Sequence, residues 1–350
     1  MKAGMFRTSL DILHYSGLSR AAAPLFGGVG AIFMLHHVRP HDGGASGFAP
    51  NAGLDVSPDF LDAVIGFVRA RGWDLVSLEE AARRLREKEF GRKFAVFTLD
   101  DGFRDNLTHA LPVFRARQCP FTVFVAPDYA DGKGELWWEA LEIAIAENDE
   151  IRPELTGLPD VMECAGEEKK QAAWDALYWP VRRMGEHAQR RWIRSFAARH
   201  GVDLAKLCRA RIMNWDEIRQ MAGDPLCDMG AHTLRHYALA RLDEEQARHE
   251  IVASRARLEA ELGVAVTTFA YPYGDAGSAG RRDFDLVARA GFAAAVTTRK
   301  GLVRAAHAAR LTALPRVSLN GFYQKIRYVD VLLTGLPFAL FNGLGKLKVA

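Results

Sequence analysis

Two carboxylates side by side at the end of an apolar run limit what this chain can become. Phe94, Ala95, Val96 and Phe97 form a short stretch of β-branched and aromatic character, which predicts a buried strand. The stretch runs out in Thr98-Leu99-Asp100-Asp101-Gly102, where the glycine permits a sharp turn. Adjacent ionised carboxylates repel unless something positive lies close. A divalent metal ion would favour both charged forms. The other reading is a polar strand-to-helix turn with aspartate as the helix cap.

Around this point, strand and helix patterns alternate along the 350 residues, as a parallel sheet or barrel requires. Residues 30–35 read as a first strand, stopped by His36-His37-Val38-Arg39-Pro40 and. A glycine-rich loop follows. Ser57-Pro58-Asp59 then opens a helix with cap, proline and first-turn acid in order and. Residues 73–76 read as strand, and Ser77-Leu78-Glu79-Glu80 has capping-box spacing and. Beyond the aspartates, residues 106–117 read as helix and 120–125 as strand. From about residue 134 to 211 the strand signal stops. Trp137, Trp138, Trp174, Trp179 and Trp192 fall there among helical periods, which predicts a helical insertion. Its tryptophans serve either as core, the commoner use of such a stripe, or as faces that stack on sugar rings. Strands resume at 227–231, 267–271, 292–297 and 314–319. Between them Asn214 caps one helix, residues 243–262 form a long charged one closed by Gly263, and 284–290 form another and.

The flanks differ in character. Residues 1–29 read as an amphipathic arm, with Leu10, Ile12, Leu13, Leu18 and Leu25 as apolar positions and. Asp11, His14 and Arg20 interrupt it, so no secretory apolar core forms and. Residues 326–350 form an apolar tail. Its run over 331–344 is too short for a span and contains Gly335, Pro337 and Gly343 and. It packs on the domain, the favoured reading, or rests on a membrane surface. Cys119, Cys164, Cys208 and Cys227 show no CxxC spacing, which suits a reducing compartment. The expected location is cytoplasmic, with peripheral contact at an inner membrane through the apolar termini. A net charge of +3 gives no footing for nucleic acid as a partner.

Four strand ends carry polar clusters: His36-His37, Asp100-Asp101, His232 with His236, and Tyr273-Gly274-Asp275. In a parallel α/β fold the carboxyl ends of the strands share one mouth, so groups distant in sequence can meet. On one helical turn His232 and His236, four apart, would face one ion together. Two neutral imidazoles and one aspartate would leave positions open for water and substrate.

Thr98-Leu99-Asp100-Asp101-Gly102, then His232-Thr233-Leu234-Arg235-His236, then Phe269-Ala270-Tyr271-Pro272-Tyr273-Gly274 resemble, in that order, the polysaccharide deacetylase family. This is the NodB-homology group, carbohydrate esterase family 4. The resemblance implies a distorted (β/α)7-type barrel over residues 30–325, interrupted by the helical insertion. It implies one divalent metal ion, commonly zinc, held by Asp101, His232 and His236, with Asp100 as the catalytic base. Two departures stand out. Ala270 occupies a place where many members have arginine. The C-terminal leucine-x-histidine motif is missing, since His307 is the only histidine after Gly274 and its context does not match. Phe33-Met34-Leu35-His36-His37-Val38 resembles the first-strand histidine of the exopolysaccharide-type subgroup. That makes His36 the candidate acid, with His37 as fallback and substrate contact. Tyr273 is a candidate for substrate contact, with an amide near it as an oxyanion donor. Arg316 is assigned to orienting Asp100, to substrate or to a structural ion pair. The implied activity is hydrolysis of a linear amide, removing acetyl from an N-acetylated glycan. O-deacetylation and non-catalytic glycan binding on the same fold are the alternatives.

Overall fold

Inward and outward residues alternate along each long strand, and the alternation closes a ring. The structure is a computed structural model that describes residues 3–40 and 47–343. Most of the expected glycine-rich loop lies outside the described residues, as do residues 1–2 of the arm and the tail from Leu344 onward. Eight parallel strands form the main sheet: β1 (Gly30–Leu35), β2 (Asp74–Leu75), β3 (Phe94–Leu99), β4 (Phe121–Val125), β5 (Cys227–Ala231), β6 (Thr268–Ala270), β7 (Ala294–Lys300) and β8 (Leu314–Ser318). The order runs β1-β8-β7-β6-β5-β4-β3, and β3 pairs back onto β1 from Gly30↔Phe94 to Leu35↔Leu99. Seven strands therefore close into a (β/α)7-type barrel. β2 adds only to the outer flank of β3, pairing Asp74 with Phe94 and Leu75 with Ala95.

Ile32, Phe94, Val96, Phe124, Ala270, Val296 and Leu314 pack together inside the ring, continuous with helix Leu78–Glu87 below it. Their odd-even neighbours Ala31, Phe33, Leu35, Ala95, Phe97 and Leu99 join the larger core under the surrounding helices. This is the period-two alternation of a strand buried on both faces.

Local signals act largely as expected. Ser57 accepts a hydrogen bond from the Phe60 amide at 3.1 Å, and Asn214 with Glu217 forms a reciprocal capping box and. Ser77 caps its helix, but Glu80 does not complete the box. Its carboxylate is held by Arg83 and Arg84 instead. In the charged helix Glu244–Leu262, Arg255 pairs with Glu259 one turn on, and Glu244 reaches Arg289 of a neighbouring helix. The expected helix over 106–117 divides into a π-helical turn, Asn106–Ala110, and α-helix Leu111–Ala116. The insertion holds helices Trp137–Glu147, Glu167–Arg183, Glu186–Arg199 and Leu204–Arg211 around a core of their own. It also holds a two-residue antiparallel pair, Glu150–Ile151 with Met162–Glu163. That pair is too short to leave a period in the sequence.

The termini meet on one side. Helices Ala3–Tyr15 and Leu18–Phe26 pack with Ile326–Leu332 and Leu336–Phe341. Arg327 pairs with Asp11 at 2.7 Å and Arg20 with Asp330 at 3.2 Å across this junction. Tyr328, Val329, Val331, Leu332 and Phe338 are buried, so the described part of the tail packs on the domain. Gly335 makes the approach possible: its φ is 80°, and a Cβ there would lie 2.1 Å from the Phe26 carbonyl oxygen. Gly335→Ala should therefore cost about 1–3 kcal/mol in urea unfolding. A variant as stable as the parent would show that the terminal helices do not hold this contact.

Candidate active site and metal centre

The parity that fills the barrel also aims its mouth. Asp100 continues the inward set Phe94, Val96 and Thr98, His36 continues Ile32 and Met34, and Arg316 lies two residues beyond Leu314. His37 belongs to the opposite parity. Asp101 would also point outward on a regular strand, but its φ is 74°, and the chain turns its carboxylate back over the mouth. The histidines of the second motif do not lie on a helical turn. Residues 232–238 form an irregular loop, with Thr233 at φ 56° and His236 at φ 60°. Tyr273 stands at φ 62°. Four side-chain-bearing residues in the left-handed region, each costing about 1–3 kcal/mol, mark a site where geometry overrides local preference.

Asp101 Oδ1 lies 3.3 Å from His232 Nε2 and 3.1 Å from His236 Nε2. One ligand atom from each of the three residues falls within 4.8 Å of the others, and all three residues are buried. The Nδ1–H of His232 donates to the Ala270 carbonyl at 2.7 Å, which turns the Nε2 lone pair toward the centre and. Burial alone would raise the Asp101 carboxyl, but His236 and His232 hold it well below the usual carboxylate range. Burial pushes His236 down to about 4. An ionised carboxylate and a neutral imidazole are the forms a metal ion requires. Asp101 Oδ1 and His236 Nδ1 have no hydrogen-bond partner. A buried oxygen facing imidazole nitrogens without a shared hydrogen bond is costly unless a cation joins them. The three residues fit a divalent ion.

Beside this cluster, Arg316 clamps Asp100 with bonds of 2.7 and 2.6 Å to its two oxygens. The guanidinium is fixed in turn by the Thr297 carbonyl at 2.9 Å and Thr98 Oγ1 at 3.1 Å. Burial would raise the Asp100 carboxyl, yet Arg316 more than reverses this and lowers it. His36 Nε2 stands 4.0 Å from Asp100 Oδ2, and burial lowers the pKa of this imidazole.

His37 does not line the same cavity, as its parity dictates. It stacks on Phe103 with ring centroids 3.6 Å apart and bonds to Asp105 at 2.5 Å and Glu139 at 3.2 Å. Neither the fallback acid role nor substrate contact at the cluster suits that position. His307 sits near the amino end of the barrel, where Val303 pairs with Gly30, and caps its own 3-10 turn by accepting from the Arg304 amide. Tyr273 does line the cavity. Its hydroxyl accepts from Trp137 Nε1 at 2.8 Å, and its own amide makes no hydrogen bond among the described residues.

The site cavity holds about 610 Å³ and is walled by His36, Asn51, Trp138, Trp179, Asn320 and Phe322 among others. Trp137, Trp138 and Trp174 are at once insertion core and cavity wall, so the two readings of the tryptophans meet in one set of residues. Sequence reasoning missed two arginines of the insertion. Arg190 donates to the His236 carbonyl at 3.3 Å. Arg182 lies 3.6 Å over the Tyr273 ring and bonds Asp275 and Ser278. They fasten the second and third motif loops from outside, and helical periodicity gives no sign of it.

Residues 182–294 match the family model described as polysaccharide deacetylase. No curated protein matches the chain. The structure is similar to that of the Streptococcus pyogenes deacetylase PplD in complex with acetate, with TM-score 0.56 and 17% identity over 86% of this chain and 97% of that one. It is similar to a de-N-acetylase from Aggregatibacter actinomycetemcomitans, with TM-score 0.54 and 11% identity over 86% and 99%. It is also similar to IcaB from Ammonifex degensii, with TM-score 0.53 and 18% identity over 88% and 97%. At these identities the likeness is one of fold.

Two outcomes follow from the geometry. His236→Ala should weaken retention of a divalent metal by about a hundredfold or more while circular dichroism stays unchanged. Full occupancy in metal analysis would refute the ligand set. For His37, burial acts downward, but the bonds to Asp105 and Glu139 raise it from 6.5 to about 9. A raised histidine contributes stability that is complete below 6.5 and lost as pH rises through about 9 and. Unfolding free energy should fall by roughly 3 kcal/mol across that window in the parent. His37→Gln should lack that part of the slope, and parallel pH profiles would contradict the assignment.

Proposed function

We propose that this chain, which resembles the polysaccharide deacetylase family in its motifs, in a matched segment and in its fold, is a metal-dependent hydrolase that removes acetyl from an N-acetylated sugar of a glycan. One observation carries this reading: a spare, clamped carboxylate, Asp100, stands beside a three-residue ligand cluster at the floor of an aromatic-walled cavity. Asp101, His232 and His236 would hold the ion, with zinc the reading that the family suggests. When bound, a divalent ion supplies Lewis acidity, bringing the pKa of water toward ~7 and drawing charge from an acyl oxygen.

The remaining steps fall to the chain's own groups. Arg316 engages one lone pair on each Asp100 oxygen, so the carboxylate keeps others free to accept and. Asp100 takes a proton as water adds to the acetamide carbon. His36, within 4.0 Å of Asp100 Oδ2, relays that proton to the sugar nitrogen as the carbon–nitrogen bond breaks. Acetate and a free amine leave. The Tyr273 amide is the candidate donor to the acyl oxygen as it gains charge. Trp138 Nε1 is buried without a partner on the cavity wall and offers a donor to a sugar.

Asp100→Asn should lower kcat for acetate release from N-acetylglucosamine oligomers by about 10²–10⁴-fold, with metal content unchanged. His36→Ala should do the same with a smaller loss, about 10²-fold. Undiminished turnover by Asp100→Asn would remove it as the base. Acetate from O-acetylated sugars alone would reassign the bond cleaved, and metal binding without acetate from any glycan would favour a binding protein.

A further inference from the structure

The terminal helices carry a surface that the site does not explain. Helix Ala3–Tyr15 is apolar on two opposite faces. Leu10 is buried and Phe6 and Leu13 pack against the same core, whereas Met5, Ile12 and Tyr15 form an outward stripe, exposed by 57, 60 and 74%. The spacing of seven and then three keeps those three side chains on one face. Helix Leu18–Phe26 exposes Leu18 and Leu25, again seven apart, and helix Leu336–Phe341 exposes Leu340 and Phe341. These seven side chains outnumber the four large apolar ones exposed elsewhere among the described residues. A concentration of this kind marks a docking surface more than chance scatter.

Charge and position say what covers it. Residues 1–29 and 321–350 carry seven Lys and Arg against Asp11 and Asp330 alone, an excess of five in a chain whose total is +3. The remainder is therefore net negative. Both acids are already engaged, Asp11 by Arg327 and Asp330 by Arg20 and Arg71. A pair of segments that is basic in composition and apolar on its exposed helices is complementary to an anionic bilayer, which attracts cationic side chains and accepts apolar ones below its headgroups. No helix of the described residues is long and apolar enough to cross a membrane, so the contact is one of surface docking. The platform also adjoins the site. Phe322 lines the site cavity and, on its other side, a second cavity of about 280 Å³ walled by Phe6, Lys300, Tyr323, Pro337, Phe338 and Phe341.

We propose that the terminal helices dock on an anionic membrane surface and that the glycan presented to the neighbouring cavity is anchored in that membrane. The second half rests on the deacetylase reading; the docking does not. Arg71, at the end of helix Pro58–Ala70, pairs with Asp330, and Leu10, Tyr328, Val329 and Val331 are buried in the main core, so a docked chain would hold its cavity at a set height over the lipid.

Flotation of the full chain with vesicles tests this. Phosphatidylcholine vesicles containing phosphatidylglycerol should carry the protein upward, pure phosphatidylcholine vesicles much less, and added salt should weaken the first. A variant with Ile12→Ser, Leu18→Ser, Leu25→Ser and Phe341→Ser should lose about tenfold or more of the binding. It should keep the parent's circular dichroism and its acetate release from soluble oligomers. Absence of flotation by the parent, or equal flotation by the variant, overturns the proposal. So does self-association of the parent in light scattering that the same substitutions abolish, which would give the face to a second copy. Intact flotation with no acetate from any N-acetylated glycan sinks the deacetylase reading and leaves the docking standing.

Discussion

A closed ring of parallel strands permits each residue only two directions, and the site depends on that restriction. Phe94 and Val96 must point inward to fill the barrel; Thr98 and Asp100 inherit the direction because a strand repeats every two residues. The same count brings His36 and Arg316 into the mouth and sends His37 out under the helices. A buried carboxylate placed this way needs a counter-charge, and Arg316 from β8 supplies it with two short bonds and. The Ala270 carbonyl on β6 orients His232. The guanidinium at the base comes from another strand.

Around that fixed pair the backbone departs from its preferences. Asp101, Thr233, His236 and Tyr273 all stand at positive φ. A β-branched residue such as Thr233 rarely tolerates that region without support from its surroundings. Support is present: Thr233 Oγ1 accepts from the Tyr237 amide, Arg190 holds the His236 carbonyl, and Arg182 covers the Tyr273 ring. Both arginines come from the helical insertion. The insertion is thus part of the device that keeps two imidazoles and a carboxylate converged, as well as a wall of the cavity.

Much of this was legible in the sequence, for reasons that can be named. The seven barrel strands are short apolar runs with clear stops, and the motifs at their ends are contiguous in sequence. His36 and Asp100 could be placed together because strand ends converge. What stayed hidden depends on groups far apart. The bidentate bond of Arg316 to Asp100 spans more than two hundred positions, and no local pattern encodes it, although Arg316 itself was a candidate. The irregular path of residues 232–238 reads as a helical turn by spacing alone. His37 stood as the fallback to His36, and strand parity separates the two. Its partners Asp105 and Glu139 lie in other elements.

The account stands on one cation held in common by Asp101, His232 and His236. Anomalous X-ray diffraction from zinc-loaded crystals, collected on both sides of the absorption edge, tests it most directly. A single strong peak at about 2.0–2.2 Å from a carboxylate oxygen of Asp101 and one nitrogen of each histidine is the expected result. A peak ligated by other residues, or none among these three with zinc present in excess, would contradict it.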